Sequence, residues 1–277
     1  MIIPFLHSIV ARQFRRHGIL RRRAVLGSGP LHYYELLPER PEGTLVLVHG
    51  LGTSSSTWVN ILPHLQRLHV LAPDLPGFGF SPGLPGVPTI GDYVEVFEEF
   101  VNAVVRGPFK LLGHSMGGWV TMRYAVKHRD RINHLILVNT AGVYHSGVDS
   151  LRDAFILHST KDTRKLLDRI WVHYPWYFRP FTPLVFEDLV SRKVPQIVAG
   201  VKETDFVNSD LSKLTMPVSV IWGMGDRLIS SDALRILEER LPARRVYTIQ
   251  NSGHVPQLQA PGEFLSILEK VLHDSIL

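Results

Sequence analysis

The sequence predicts an α/β fold: a mostly parallel central sheet flanked by helices, interrupted by a helical cap insertion. Three observations carry this. Short β-rich runs alternate with helix-patterned segments along most of the 277 residues, as expected for strands joined by crossover helices. Several runs, such as TLVLV at 44–48 and HLILV at 134–138, are apolar throughout, which suits strands buried on both faces. Between about 142 and 214 the alternation stops, and aromatic, helix-like sequence with scattered prolines replaces it.

The elements follow in order. Residues 1–10 are apolar and are followed by Arg12, Arg15, Arg16, Arg21, Arg22 and Arg23, with no acid before Glu35. The apolar run is too short to span a bilayer. Its charges also follow it, the reverse of a signal peptide. On a helix the apolar residues cover one side and Arg12, Arg15 and Arg16 another. Residues 1–23 therefore read as a basic amphipathic arm, either lying on a membrane surface or packed on the domain. Gly27-Ser28-Gly29-Pro30 is a turn, and strands are predicted at 31–37, 44–48 and 69–72. A polar Thr/Ser run caps a helix expected to begin near Thr57. Residues 90–105 carry helical periodicity through Tyr93, Val94, Phe97, Phe100, Val101 and Val104.

Residues 109–112 read as a strand and 116–127 as a helix, with Gly113-His114-Ser115-Met116-Gly117 between them. So sharp a strand-to-helix turn strains the serine backbone and presses strand against helix. Only the smallest residue fits two positions either side. The turn lifts the Ser115 hydroxyl clear, and the helix N-terminus aims free N–H groups at the same point. After the 134–138 strand, the aromatic block contributes Phe155, Trp171, Tyr174, Trp176, Tyr177, Phe178, Phe181, Phe186 and Phe206. The β–α rhythm then resumes with strands at 218–222 and 245–249 and helices at 232–240 and 263–273. The organisation is an arm (1–23), a core (24–141 and 215–277) and a helical cap (142–214).

An activated serine needs a base, and the base needs an orienter. In parallel α/β sheets both are sought in loops at the carboxyl ends of strands. Asp226 follows the 218–222 strand, and His254 follows the 245–249 strand. The carboxylate rivals are Asp74, placed to hydrogen-bond its own Pro-Gly loop, and Asp232, placed to cap a helix. His49 precedes the turn expected to supply an oxyanion donor and is given a structural role. The remaining histidines show no metal-ligand spacing.

Composition excludes other classes. The absence of cysteine rules out disulfide frameworks and thiolate metal sites and is compatible with a reducing cytoplasm. The formal charge is +5, yet setting aside the six arm arginines from 30 Lys and Arg leaves 24 against 25 acidic residues. The basic excess is thus local, and no nucleic-acid-binding face is indicated. Gly50-Leu51-Gly52 is not a dinucleotide fingerprint, because Ser55 occupies the third glycine position.

These pieces resemble the α/β-hydrolases of the carboxylesterase and lipase kind over roughly residues 31–275. The resemblance rests on His49-Gly50-Leu51-Gly52, Asp74-Leu75-Pro76-Gly77-Phe78-Gly79-Phe80-Ser81, Gly113-His114-Ser115-Met116-Gly117-Gly118, Ile221-Trp222-Gly223-Met224-Gly225-Asp226 and Gly253-His254-Val255-Pro256. Residues 135–143 and the arginine-rich start are similar to bacterial family V lipases and monoacylglycerol-lipase-like relatives. Gln259 departs from the Glu common after the His-Val-Pro segment, which bears on a local contact.

The resemblance implies an α/β-hydrolase fold and a triad of Ser115, Asp226 and His254, with an oxyanion hole formed by the Leu51 and Met116 N–H groups. It implies hydrolysis of a small-molecule ester, without cofactor or metal, and the aromatic content of the cap, without an obvious cluster of arginines, suggests a neutral apolar acyl chain. Relatives that cleave haloalkanes or epoxides use an aspartate nucleophile where this chain has Ser115. Three functions stay open at this stage: an esterase or lipase; another serine hydrolase of the fold, such as a carbon–carbon bond hydrolase or perhydrolase; or a ligand-binding receptor with slow hydrolysis. The expected location is cytoplasmic, at the inner membrane surface if the arm lies on lipid.

Overall fold

A computed structural model describes residues 2–274, with side chains described for 8–273. Eight strands form one sheet: β1 (Leu20–Leu26), β2 (Gly29–Leu36), β3 (Thr44–Val48), β4 (His69–Pro73), β5 (Phe109–His114), β6 (Ile132–Val138), β7 (Val218–Gly223) and β8 (Arg244–Ile249). Their order is β1-β2-β4-β3-β5-β6-β7-β8. The pairs β1/β2 and β2/β4 are antiparallel and all others parallel, in keeping with the mostly parallel sheet expected.

Two apolar cores sandwich the sheet, and the strands explain why. Along β3, Val46 and Val48 enter one core while Leu45 and Leu47 enter the other. Along β6, Leu135 and Leu137 face the first and Ile136 and Val138 the second. Successive strand side chains point to opposite faces, so an apolar run buries both. The helices α2 (Ile90–Val104) and α3 (Met116–Lys127) cover the first face, and α10 (Pro261–Asp274) covers the second. A capping box at Thr89 and Asp92 fixes the start of α2.

Residues 2–26 bear on the two readings of the arm. α1 (Ile2–Arg16) packs on the second core through Phe14, which is fully buried and meets the Tyr34 ring edge-on at 4.7 Å. Ile9 is half exposed, and the side chains of residues 1–7 lie outside the described ones. Residues 20–26, divided in the sequence between arm and core, form the edge strand β1, so the boundary at residue 23 falls inside a strand. The helix expected near Thr57 is instead two 3₁₀ turns, Ser55–Trp58 and Leu62–His64. Pro63 lacks an N–H and disfavours helical geometry in the residue before it.

Between β6 and β7 the chain builds α4 (Val148–Ala154), α5 (Thr160–Ile170), α6 (Thr182–Ser191) and α7 (Val194–Ala199). Phe155, Leu157, Leu166, Leu189 and Ile197 are buried here and join the first core. The insertion is therefore packed continuously with the sheet's α2/α3 side. α8 (Ser231–Arg240) and the short α9 (Pro256–Gln259) complete the fold.

Candidate active site

The carboxyl ends of β5, β6, β7 and β8 lie along one edge of the sheet, and each is followed by a polar residue that turns toward the same point. After β5, Ser115 adopts φ 53° and ψ −122°, a region that costs a non-glycine residue strain. The close approach is real. A Cβ on Gly113 would come to 2.5 Å of the Gly117 carbonyl oxygen, and one on Gly117 to 2.4 Å of the Val48 and His49 oxygens. Neither position admits a side chain. Met116 opens α3, so its N–H has no acceptor inside the helix. Leu51 lies in the loop after β3, and both residues line the same cavity as Ser115.

After β8, His254 is 3% exposed and places Nε2 2.9 Å from the Ser115 hydroxyl. Its Nδ1 lies 2.8 Å from Asp226 Oδ2, in the loop after β7. Asp226 is held in turn. Its Oδ1 accepts the Leu228 and Ile229 N–H groups at 2.8 and 3.0 Å. The structure thus brings Ser115, His254 and Asp226 into one hydrogen-bonded chain.

Two polar residues escaped the sequence reading. Asn139, directly after β6, has φ 38° and is fully buried. Its Nδ2 donates to Asp226 Oδ2 at 2.8 Å, and its Oδ1 accepts the Gly223 N–H at 2.9 Å. Four donors therefore saturate the carboxylate. The signal was available, since Asn139 follows a strand end as Asp226 does. His114 carries no sequence signal beyond its place in the 113–117 turn. Buried beneath the His254 loop, its Nε2 lies 2.8 Å from the His254 carbonyl oxygen. Burial, reinforced by His254 nearby, lowers its pKa to about 3, so it is a neutral N–H donor at ordinary pH.

The rival carboxylates are committed elsewhere. Asp74 is fully buried and accepts from Ser55, His32 and the Phe80 N–H, a wider network than its own loop. Burial works against its charge, but these hydrogen bonds and His32 hold the carboxyl below the usual range. Asp232 lies in the first turn of α8 and accepts from Ser146 Oγ at 2.6 Å, while the cap of that helix is Ser230. His49 is held inside the loop after β3 by hydrogen bonds through both ring nitrogens. Its Nε2 accepts the Leu75 N–H at 2.9 Å, so its Nδ1–H donates to the Gly50 oxygen at 2.8 Å.

Gln259 ties the insertion to the histidine loop. Its Oε1 accepts from Val172 N at 3.0 Å and Gly253 N at 3.3 Å, and its Nε2 donates to the Ile170 oxygen at 3.2 Å. A glutamate could accept the first two but could not make the third. The His254 N–H also donates to the Ile170 oxygen, at 2.8 Å.

Ser115 opens into a cavity walled by Trp119, Val148, Leu151, Phe155, Ile197 and Phe206 among others. Val148, Leu151 and Phe155 come from one face of α4 and its end, which is how the insertion roofs the sheet edge. Among the described residues no cluster of three or more His, Asp or Glu is arranged to hold a metal ion.

Known proteins include relatives of this chain. A family model described as "Alpha/beta hydrolase family" matches residues 45–267. Lipase 3 of Moraxella sp. (strain TA144) is 28% identical over 236 residues, covering 78% of this chain and 73% of that protein. The pimeloyl-[acyl-carrier protein] methyl ester esterase of Aeromonas hydrophila is 28% identical over 240 residues, covering 81% and 93%. Among solved structures, a membrane phospholipase A described as a bacterial virulence factor superposes with a TM-score of 0.87. It is 26% identical and covers 99% of this chain and 92% of that one.

Proposed function

The chain belongs to the alpha/beta hydrolase family, and from that premise we propose that it hydrolyses carboxylic esters through a Ser115–His254–Asp226 acyl-enzyme mechanism. The observation that supports this reading is the unbroken hydrogen-bonded path from Ser115 Oγ through His254 to Asp226. His254 Nε2 takes the Ser115 proton as Oγ attacks the ester carbonyl carbon. Asp226 holds the imidazole in the tautomer with hydrogen on Nδ1 and stabilises the imidazolium that forms. The carbonyl oxygen becomes an oxyanion received by the backbone N–H groups of Leu51 and Met116. The carbon–oxygen bond breaks, the alcohol leaves with the proton from His254, and water, deprotonated by the same histidine, releases the acid and frees Ser115.

The acyl group is read as predominantly apolar, because the cavity beside Ser115 is walled by aromatic and aliphatic side chains. The names of the relatives, lipases and an ester esterase, support the same class of substrate. The arm is read as a peripheral membrane contact. Arg12, Arg15 and Arg16 are exposed on α1 while Phe14 anchors it. Among the described residues, no helix is long and apolar enough to cross a membrane.

Turnover of p-nitrophenyl esters by the wild-type chain and by Ser115→Ala tests the reading. The variant loses roughly 10⁶-fold in kcat if its serine behaves as that of subtilisin does. A panel adding a vinylogous diketone and peroxide separates ester hydrolysis from carbon–carbon bond cleavage and perhydrolysis. Tight binding of an ester without turnover would instead identify a receptor.

A further inference from the structure

Two polar side chains besides Ser115 interrupt the apolar wall of the cavity, Arg152 and His145. Arg152 is already engaged, donating to the Val201 oxygen at 3.1 Å and to Asp149 Oδ1 at 3.3 Å. His145 is different. It is 6% exposed, and its Nδ1 accepts the Gly147 backbone N–H at 3.0 Å. An amide N–H can only be received by an unprotonated ring nitrogen, so the proton of the neutral ring sits on Nε2.

The neutral form is the one expected. Burial lowers the His145 pKa below its ordinary value, against the weaker opposing pull of Asp232. The Gly147 backbone also passes close to the ring. A Cβ on Gly147 would stand 3.0 Å from His145 Cε1 and 3.2 Å from Ser230 Cβ. Nε2–H has no acceptor among the described residues. Nor is it sealed off in the way that His114 Nδ1 is.

We propose that His145 Nε2–H is a specificity-determining donor and that the preferred ester carries a hydrogen-bond-accepting oxygen in the segment that fills this cavity. A keto, ether or second ester oxygen would serve. The inference rests on the ester-hydrolase reading and narrows its substrate class. An all-methylene chain pressed against Nε2–H strips the donor of water and returns nothing, whereas an oxygen at that depth satisfies it. A pocket that must satisfy a buried polar group discriminates more sharply than a purely apolar one.

Matched p-nitrophenyl esters of one chain length test this, with a single methylene replaced by an ether oxygen or a ketone at each position in turn. For the wild-type chain, kcat/KM at one position exceeds that of the all-methylene ester. In His145→Phe that ratio falls by about tenfold, and His145→Gln, which keeps an acceptor for Gly147 and a donor for the substrate, restores part of it. The inference is overturned if no oxygenated ester outruns its all-methylene counterpart in the wild-type chain, a result that needs no variant to fold. It is equally overturned if the ratio survives in a folded His145→Phe. Absence of turnover with every ester would be a failure of the ester-hydrolase reading itself.

Discussion

Asn139 and His254 donate to the same oxygen of Asp226, both at 2.8 Å, although Asn139 follows β6 and His254 follows β8. The shared acceptor makes Asn139 the group that aims the carboxylate. Its own amide oxygen is fixed on Gly223 N, so it cannot rotate away without leaving that N–H unpaired. Asn139→Ala removes a hydrogen bond to a charged group, worth about 1.5–3 kcal/mol. The expected outcome is a roughly 10- to 100-fold drop in kcat, with KM little changed. Steady-state kinetics on a simple ester check it, and a normal kcat would show that Leu228 and Ile229 alone hold Asp226.

Asp226→Asn keeps the shape of the site but reverses the hydrogen-bonding sense toward His254, favouring the wrong imidazole tautomer. A kcat loss of up to about 10⁴-fold is expected, as in trypsin. Circular dichroism should show an intact fold. Near-normal turnover would mean that another carboxylate orients His254, but Asp74 and Asp232 are bound to other partners.

Chain length probes the cavity. Each buried CH₂ contributes about 0.8 kcal/mol, close to fourfold in kcat/KM. Specificity is therefore expected to climb from acetate to medium-chain esters and then level or fall. Values that decline steadily from acetate onward would argue against an apolar acyl site.

The sheet and the serine–histidine–aspartate constellation were legible because both are written locally. Apolar runs mark strands buried on two faces, and chemistry collects just past their carboxyl ends. β1 was not legible for a physical reason. Arg21, Arg22 and Arg23 stand on an exposed edge strand, so no alternation of apolar and polar residues marks it, and charge at an edge discourages pairing with other chains. Asn139, just past β6, carries the same positional signal as Asp226, but its residue type does not single it out as the partner of that carboxylate. Gln259, read only as a departure, proves to bond two segments that are distant in sequence.

Buried histidines make stability depend on pH in a direction that can be stated. The folded chain holds His114 at about 3, against 6.5 for an exposed imidazole, and burial lowers His49 as well. Below about pH 6.5 the unfolded chain therefore binds protons that the folded chain refuses. Stability is full above that pH and falls as pH drops, by up to about 1.4 kcal/mol per unit for each such histidine. Asp74, lowered below 3.8, adds a loss of the same sign only under that value. Urea unfolding between pH 7.5 and 5 should show this slope, and His114→Asn, which cannot titrate, should flatten it. An unchanged slope in a folded variant would remove His114 from the account.

The arm calls for variants that separate its two faces. Deleting residues 1–23 is unsuitable, because it removes buried Phe14 and Ile19 together with the first four residues of β1. Phe14→Ala empties a packed site against Tyr34 and should cost about 3–5 kcal/mol. In a chain of this size that lowers the melting temperature by about 10 °C. Replacing the exposed Arg12, Arg15 and Arg16 with glutamine leaves that packing in place. Each arginine contributes about 1 kcal/mol near an anionic surface, so the triple variant should bind anionic vesicles roughly a hundredfold more weakly. Its melting temperature and its turnover of soluble esters should stay close to wild type. Binding by the wild-type chain should weaken as salt is raised, since the arginines are screened within a Debye length. If the full chain ignores anionic vesicles at low salt, α1 is a packing helix and the membrane contact is wrong.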